Sequence, residues 1–369
     1  MRASAPTLAR VQCLRARLAE EGLDALVISQ PENRRYLSGF TGSAGYLLIS
    51  AERALIIVDF RYIQQATEQA QGFEVVKMEQ SYFSDLLPEL AAELSITRLG
   101  FEALDVSYAT YADWREALSG QANGPTVELV PTRGWVEALR AIKDSTELTL
   151  IETAIKITDD AFVEALSWLR PGMTEKEAAW RLESTMRLAG ADGVAFPIIV
   201  AGGPAGAMPH AFPTDRPLMP GEPIVIDMGA RVHGYCADLT RTVCLGEPDQ
   251  RFWEIYSIVL EAQQKAEREV RPGMTGQEAH AIAWNYINER GYGDAFGHGL
   301  GHSLGLAIHE EPRMSKTYTG TLEAGVVITC EPGIYIPGWG GVRIEDIIVL
   351  EPGGARVLTH APKEPVIRL

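Results

Sequence analysis

The stretch Gly221-Glu-Pro-Ile-Val-Ile-Asp227-Met-Gly229, with its near-copy Gly325…Glu331-Pro-Gly333, decides how this chain is read. In the first copy Asp227 ends the apolar run Pro223–Ile226, and Asp238 follows after a turn through Gly234. In the second, Glu331 and Glu345 repeat the arrangement on the apolar segments GVVITCEPGIYI and GGVRIEDIIVL. Two isolated aspartates are ordinarily solvated or cap an element. Acids at the ends of apolar runs are costly unless paired or metal-bound, and here the pair occurs twice.

Working outward, the duplication extends upstream. Arg170-Pro-Gly-Met-Thr174 recurs as Arg271-Pro-Gly-Met-Thr275, each copy following one helical stretch and beginning another. Gly190 and Gly291 close the second helix of each copy. The spacing between copies widens slowly along the chain, as loop insertions would make it. Two similar halves facing each other would bring one acid pair from each to a shared centre.

Four carboxylates at such range raise one another's pKa values. One or two divalent cations would remove the conflict, and oxygen ligands with a single imidazole suit Mn²⁺, Zn²⁺ or Co²⁺. The strings VIDMG, YCADLTRT, GHGLGH, CEPGIY and VRIED carry the candidates Asp227, Asp238, His302, Glu331 and Glu345. His298 and His302 are four apart, but Gly297, Gly299 and Gly301 argue against a helix. The motif is therefore a glycine-lined approach to a ligand, and one of these two histidines should bind the metal. His309 and His210 are candidates for proton transfer and substrate contact. His233 reads as a turn residue, and His280 and His360 have no acidic company.

With 369 residues, 46% apolar and 22% charged, the chain can hold two domains with sizeable cores. Its net charge of −16 makes nucleic acid and anionic membrane poor partners. Four scattered cysteines without a CxxC fit a reducing cytosol, so a cytoplasmic location is expected. No segment approaches the ~18 consecutive apolar residues of a membrane helix. The basic N-terminus, MRASAPTLARVQCLRAR, reads as an amphipathic helix. Up to about Pro131 the runs DALVIS, GYLLIS, ALIIVDF, FEVVKM, RLGFE and TVELV alternate with the helical stretches SYFSDLLPELAAEL and SYATYADWREAL. That is an α/β domain. Breaker residues at Pro131–Gly134 place the boundary there, giving domains 1–133 and 134–369. Asp144 and Glu147 suggest a capping arrangement, followed by a helix with Ile151, Ala154, Ile155, Thr158, Phe162, Ala165, Leu166 and Leu169 on one face.

On these motifs the second domain resembles the pita-bread metallopeptidases, the family of methionine aminopeptidase, aminopeptidase P and prolidase. The first domain resembles the creatinase-type N-terminal domain, and Tyr36-Leu-Ser-Gly-Phe-Thr-Gly-Ser-Ala-Gly45 is similar to bacterial aminopeptidase P. The resemblance implies an α/β domain followed by an α+β pita-bread domain with a pseudo-twofold repeat. It implies two divalent ions per chain, Mn²⁺ first and Zn²⁺ or Co²⁺ as alternatives. Asp238 and Glu345 would bridge them, Asp227 would bind one, and His302 with Glu331 the other. Glu331, His210 and His309 would serve catalysis, and His298, Arg343 and Tyr335 would contact substrate.

The implied activity is an Xaa-Pro aminopeptidase, cleaving peptides with proline at the second position and assembled as a homodimer. The alternative is an Xaa-Pro dipeptidase, or prolidase. A dipeptidase should clamp the proline carboxylate with cations. The stretch Ser315–Thr321 before the Glu331 turn holds no arginine, which favours the aminopeptidase. A non-catalytic interaction protein on the same fold is the third reading; the intact ligand set argues against it.

Overall fold

The computed structural model describes residues 5–79, 82–119 and 126–369. The first four residues of the expected N-terminal helix, and Ser81 at the start of another, lie outside them. The chain divides into two compact units, Met1–Arg140 and Ala141–Leu369.

The first unit is built on a six-stranded mixed sheet. Its spatial order is Glu74–Lys77, Ala54–Val58, Tyr46–Ser50, Ala25–Ile28, Arg98–Glu102 and Glu128–Thr132. The inner strands are apolar and buried along nearly their whole length, as helices on a sheet's faces require. Trp114, on the Tyr108–Ser119 helix, packs edge-on against Tyr46, Phe83 and Phe101. The last strand runs to Thr132, through the Pro131 read as a breaker. A proline is tolerated there because the strand lies at the sheet edge.

The compact units part later than the Pro131–Gly134 breakers suggest. Residues 134–140 enter the Trp135–Ala141 helix, and polar contacts fasten that helix to the first unit. Asn33 donates to Glu137 at 2.8 Å, Arg140 donates to the Asn33 side-chain Oδ1 at 2.7 Å, and the Tyr36 hydroxyl donates to the Leu139 backbone carbonyl at 2.9 Å.

The second unit is an α+β structure made twice over. Its first half has the helices Ser145–Trp168 and Glu175–Leu188 over a sheet ordered Val366–Ile367, Leu239–Leu245, Ile224–Met228, Ile199–Gly202. The second has Gln250–Glu269 and Gly276–Asn288 over Glu310–Met314, Gly301–Ser303, Val327–Cys330, Asp346–Glu351, Gly354–Val357. Each half has its own apolar core, one around Phe162, Leu182, Ile226 and Val243, the other around Phe252, Val259, Ile287, Ile328 and Ile348.

The RPGMT copies show the duplication bond by bond. Gly172 and Gly273 both lie at positive φ (84° and 92°), which glycine adopts without penalty. Their N–H groups donate to Leu218 and Leu322, and the N–H groups of Leu218 and Leu322 donate back to Met173 and Met274. Thr174 and Thr275 then cap the next helices with identical boxes. Each hydroxyl accepts from the N–H three residues on at 3.1 Å, and each partner glutamate accepts the threonine N–H at 2.8 Å. The Asp144–Glu147 capping box is also present. Among the described residues, no helix is long and apolar enough to cross a membrane.

The twin caps should be energetically alike. Thr174→Ala and Thr275→Ala should each cost about 1 kcal/mol, and Thr→Ser at either place much less. Urea unfolding followed by circular dichroism checks this through the shift in midpoint at constant slope.

Candidate functional site

The site lies where the strand ends of the two halves converge. Asp227 ends the Ile224–Met228 strand and Asp238 precedes Leu239–Leu245; these strands pair antiparallel with Thr240 opposite Asp227. Glu331 follows Val327–Cys330 and Glu345 precedes Asp346–Glu351, strands that pair with Cys330 opposite Asp346. The two ladders therefore deliver their acids in the same way, as the sequence repeat implied.

All five residues of the expected ligand set line one cleft of about 520 Å³. Asp227, Asp238 and Glu345 each bring a carboxylate oxygen within 4.8 Å of the other two. His302 Nε2 lies 3.6 Å from Asp238 and 3.4 Å from Glu331. Burial first, then the neighbouring acids, pushes the Asp238 and Glu345 carboxyls well above the usual carboxylate range. Burial likewise raises Glu331.

Protein donors satisfy only part of this negative charge. Arg343 Nη2 donates to Asp227 Oδ2 at 2.5 Å, Thr240 to Glu345 Oε2 at 2.7 Å, and Thr329 to Glu331 at 2.9 Å. The second oxygens, Asp227 Oδ1 and Glu345 Oε1, are buried without a hydrogen-bond partner. Such orphans call for an occupant. The imidazole is prepared too. His302 Nδ1 lies 3.1 Å from the Ser303 carbonyl, so the proton sits there and the Nε2 lone pair faces the acids. Burial lowers its pKa and keeps the ring neutral. Oxygen donors, two orphaned oxygens and an aimed lone pair fit divalent cations.

The remaining candidates divide into cleft and support. His210, His298, His309 and Arg343 line the cleft. His309 packs edge-on against His302, with centroids 4.4 Å apart, and desolvation of its ring, then His302 and Arg313, push its pKa down to about 4. His298 donates from Nδ1 to Gly299 at 2.7 Å, so its Nε2 accepts from the Tyr335 hydroxyl at 2.9 Å. That hydroxyl accepts from Arg343 at 2.8 Å. Tyr335 is buried behind the cleft lining, and its hydroxyl is shared by Arg343 and His298. His233 is exposed in its turn at φ 43°.

One cation escaped the sequence reading. Arg313, two residues before the stretch inspected for arginine, lines the cleft with Ser315 and Thr317. Arg313 lies on the Glu310–Met314 strand, whereas Ser315 and Thr317 lie in the turn that follows it, so no strand periodicity marks the three together. Its guanidinium contacts Glu311 at 3.1 Å but its side chain is 48% exposed, so it can reach a ligand. Arg343, by contrast, is buried and committed through Nε to Thr240, through Nη1 to Tyr335 and through Nη2 to Asp227. Phe196, Pro197, Ile199 and Ile308 form an apolar wall that the sequence did not mark.

Comparison with known proteins places the chain in a family. Residues 149–352 match the model of metallopeptidase family M24, and residues 10–142 that of the creatinase/prolidase N-terminal domain. A Pyrococcus furiosus protein named Xaa-Pro dipeptidase is 37% identical, covering 94% of this chain and 96% of that one. A solved structure called Xaa-Pro dipeptidase from Bacillus anthracis superposes with a TM-score of 0.93 at 42% identity, covering 98% of this chain and 100% of that one. One called X-Pro aminopeptidase from Thermotoga maritima gives 0.86 at 40% identity, covering 96% and 100%.

The uncompensated acids have a measurable cost. Without metal, Glu345→Gln should raise the unfolding temperature by a few degrees, because it removes a buried charge among like charges. It should also shrink the further rise that Mn²⁺ gives the unsubstituted chain. Thermal unfolding with and without the ion checks both signs.

Proposed function

We propose that this chain, which belongs to metallopeptidase family M24, cleaves the bond between an N-terminal residue and a following proline, and acts best on dipeptides. Its two units are a creatinase-type N-terminal domain and a pita-bread metallopeptidase domain. It is a metallopeptidase, and its family implies divalent metal ions.

The residues that would hold such ions are Asp227, Asp238, His302, Glu331 and Glu345. When bound, such ions supply Lewis acidity and lower the pKa of water. The chain's own groups do the rest. Glu331, whose pKa burial raises, can take a proton from the attacking water. The proline nitrogen must gain a proton to leave as an amine, and Glu331 can deliver it. Neutral His309 and His298 can hydrogen-bond substrate without adding charge. The apolar wall of Phe196, Pro197, Ile199 and Ile308 suits a proline ring.

The observation that carries the dipeptide preference is Arg313. A dipeptidase needs a cation for the proline carboxylate, and Arg313 offers an exposed guanidinium in the cleft wall while Arg343 is already occupied. This removes the ground on which the sequence favoured an aminopeptidase. The second reading, an Xaa-Pro aminopeptidase, is supported by Phe212 at the cleft, 75% exposed and open to residues beyond the proline. The named relatives fall on both sides. A Mn²⁺-loaded, cytoplasmic homodimer remains part of the proposal.

Two outcomes test it. Chelation should abolish cleavage of Xaa-Pro peptides, with Mn²⁺, Co²⁺ or Zn²⁺ restoring it and elemental analysis giving two ions per chain; full activity of a metal-free preparation refutes the metal assignment. Arg313→Ala should lower kcat/KM for an Xaa-Pro dipeptide by about tenfold or more, since a charged hydrogen bond contributes about 1.5–3 kcal/mol. It should change an amidated Xaa-Pro-Yaa tripeptide little. If the unsubstituted chain prefers the tripeptide, aminopeptidase replaces dipeptidase.

A further inference from the structure

The segment that carries His309 into the cleft is a loop between two strands. His302 and Ser303 end the Gly301–Ser303 strand, and Glu310 begins the Glu310–Met314 strand right after His309. The strands pair antiparallel, and their register breaks between His302 and Ser303. At such a break the ladder alone does not fix where flanking side chains point. Yet the two imidazoles meet at 4.4 Å and 75°. Something else must set the loop.

Lys143 stands at this point. It lies just before the Ser145–Trp168 helix, and its ammonium is buried beneath the loop. Nζ donates to Ser303 Oγ at 2.9 Å and pairs with Glu310 Oε2 at 3.2 Å, with side-chain exposures of 1% and 6% for the charged pair. One ammonium therefore grips the residue after each histidine. The grip is extended on both sides. Glu310 Oε1 accepts from Ala307 N at 3.0 Å, and Gly305 N donates to Ala307 O at 3.0 Å. Ser303 Oγ donates to the Val327 carbonyl at 2.8 Å, on the strand that leads to Glu331. The Lys143 backbone is itself held: its N–H donates to Gly325 at 3.1 Å, and Ile142 bridges Val326.

A buried ion pair is weak evidence of stabilisation, because desolvation offsets most of its attraction. Such a pair has more value as a geometric constraint. We propose that Lys143 is a positioning residue: through Ser303 and Glu310 it fixes the loop that sets His309 against His302 and the substrate. Lys143 is not among the residues that line the cleft. The proposal rests on the reading of His309 as a site residue.

The test is a double-mutant cycle on Xaa-Pro hydrolysis by the metal-loaded chain, joined to histidine ring ¹⁵N NMR of the metal-free chain. Lys143→Met should lower kcat about tenfold while KM stays within about twofold, the pattern of a lost transition-state contact. In the His309→Ala background the same change should lower kcat less than about twofold, because both substitutions remove one function. The ring signals of His302 and His309 should shift and those of His280 and His360 should not. If Lys143→Met fails to fold with Glu310 left unpaired, Lys143→Met/Glu310→Met replaces it and should show the same cycle. Multiplicative losses in the double variant, or unchanged kcat with unchanged ring signals, overturn the proposal. If the unsubstituted chain cleaves no Xaa-Pro peptide, the functional reading fails, and the ring signals still decide whether Lys143 sets the histidines.

Discussion

Mutual repulsion among the carboxylates of Asp227, Asp238, Glu331 and Glu345 is the constraint to which the second unit answers. These groups share a cleft where water can solvate them only in part, and burial, then the neighbouring acids, raises the pKa values of Asp238 and Glu345. The protein offsets some of the cost. Arg343 neutralises one oxygen of Asp227, and Thr240 and Thr329 each donate a hydroxyl to a glutamate. Two oxygens are left over, which turns an electrostatic penalty into affinity for cations. Removing those cations leaves the penalty in place, so stability and activity are coupled at this site.

Holding acids against their own repulsion requires a stiff frame, and the layer behind the site supplies it. Arg241 is 1% exposed and spans several segments at once. It donates to the carbonyls of Thr240, Glu345, Ala361 and Pro362 and pairs with Asp346 at 2.7 Å. Lys363 also contacts Asp346, at 2.5 Å. The peptide between Glu345 and Asp346 is thereby tied to the opposite half of the duplicated domain. Tyr335 does similar work on the substrate side, linking Arg343 to His298.

The duplication was legible because its physical causes are local. A glycine at positive φ followed by a threonine N-cap is a signal that any alignment of the two copies exposes, and both copies form the same bonds. The apolar runs ending in acids were legible for the same reason. Arg313 was not found because the sequence was searched as a string, between Ser315 and Thr321, whereas the cleft is also lined from the strand that ends just before that stretch. The partners of the Tyr335 hydroxyl were not legible, because Arg343 and His298 reach it from other segments of the chain. The first unit's last strand, with Pro131 inside it, was hidden because a proline stops a central strand and not an edge strand.

The sequence by itself determined the two-unit plan, the repeated helix–helix–sheet order and the identity of the five groups that meet in the cleft. The plan and the four acids follow from hydrophobic period, capping residues and the position of acids on apolar runs, which are short-range properties; the choice of His302 over His298 came from the family resemblance. The tertiary structure alone decided which oxygen of each acid is left unpartnered, which imidazole nitrogen carries the proton, and which arginine is free to meet a ligand. Each of these depends on hydrogen-bond partners drawn from distant segments: Arg343 on Asp227, Thr240 on Glu345, Lys143 on Ser303 and Glu310. Such pairings are set by how the two halves close on one another, and no local pattern encodes that closure.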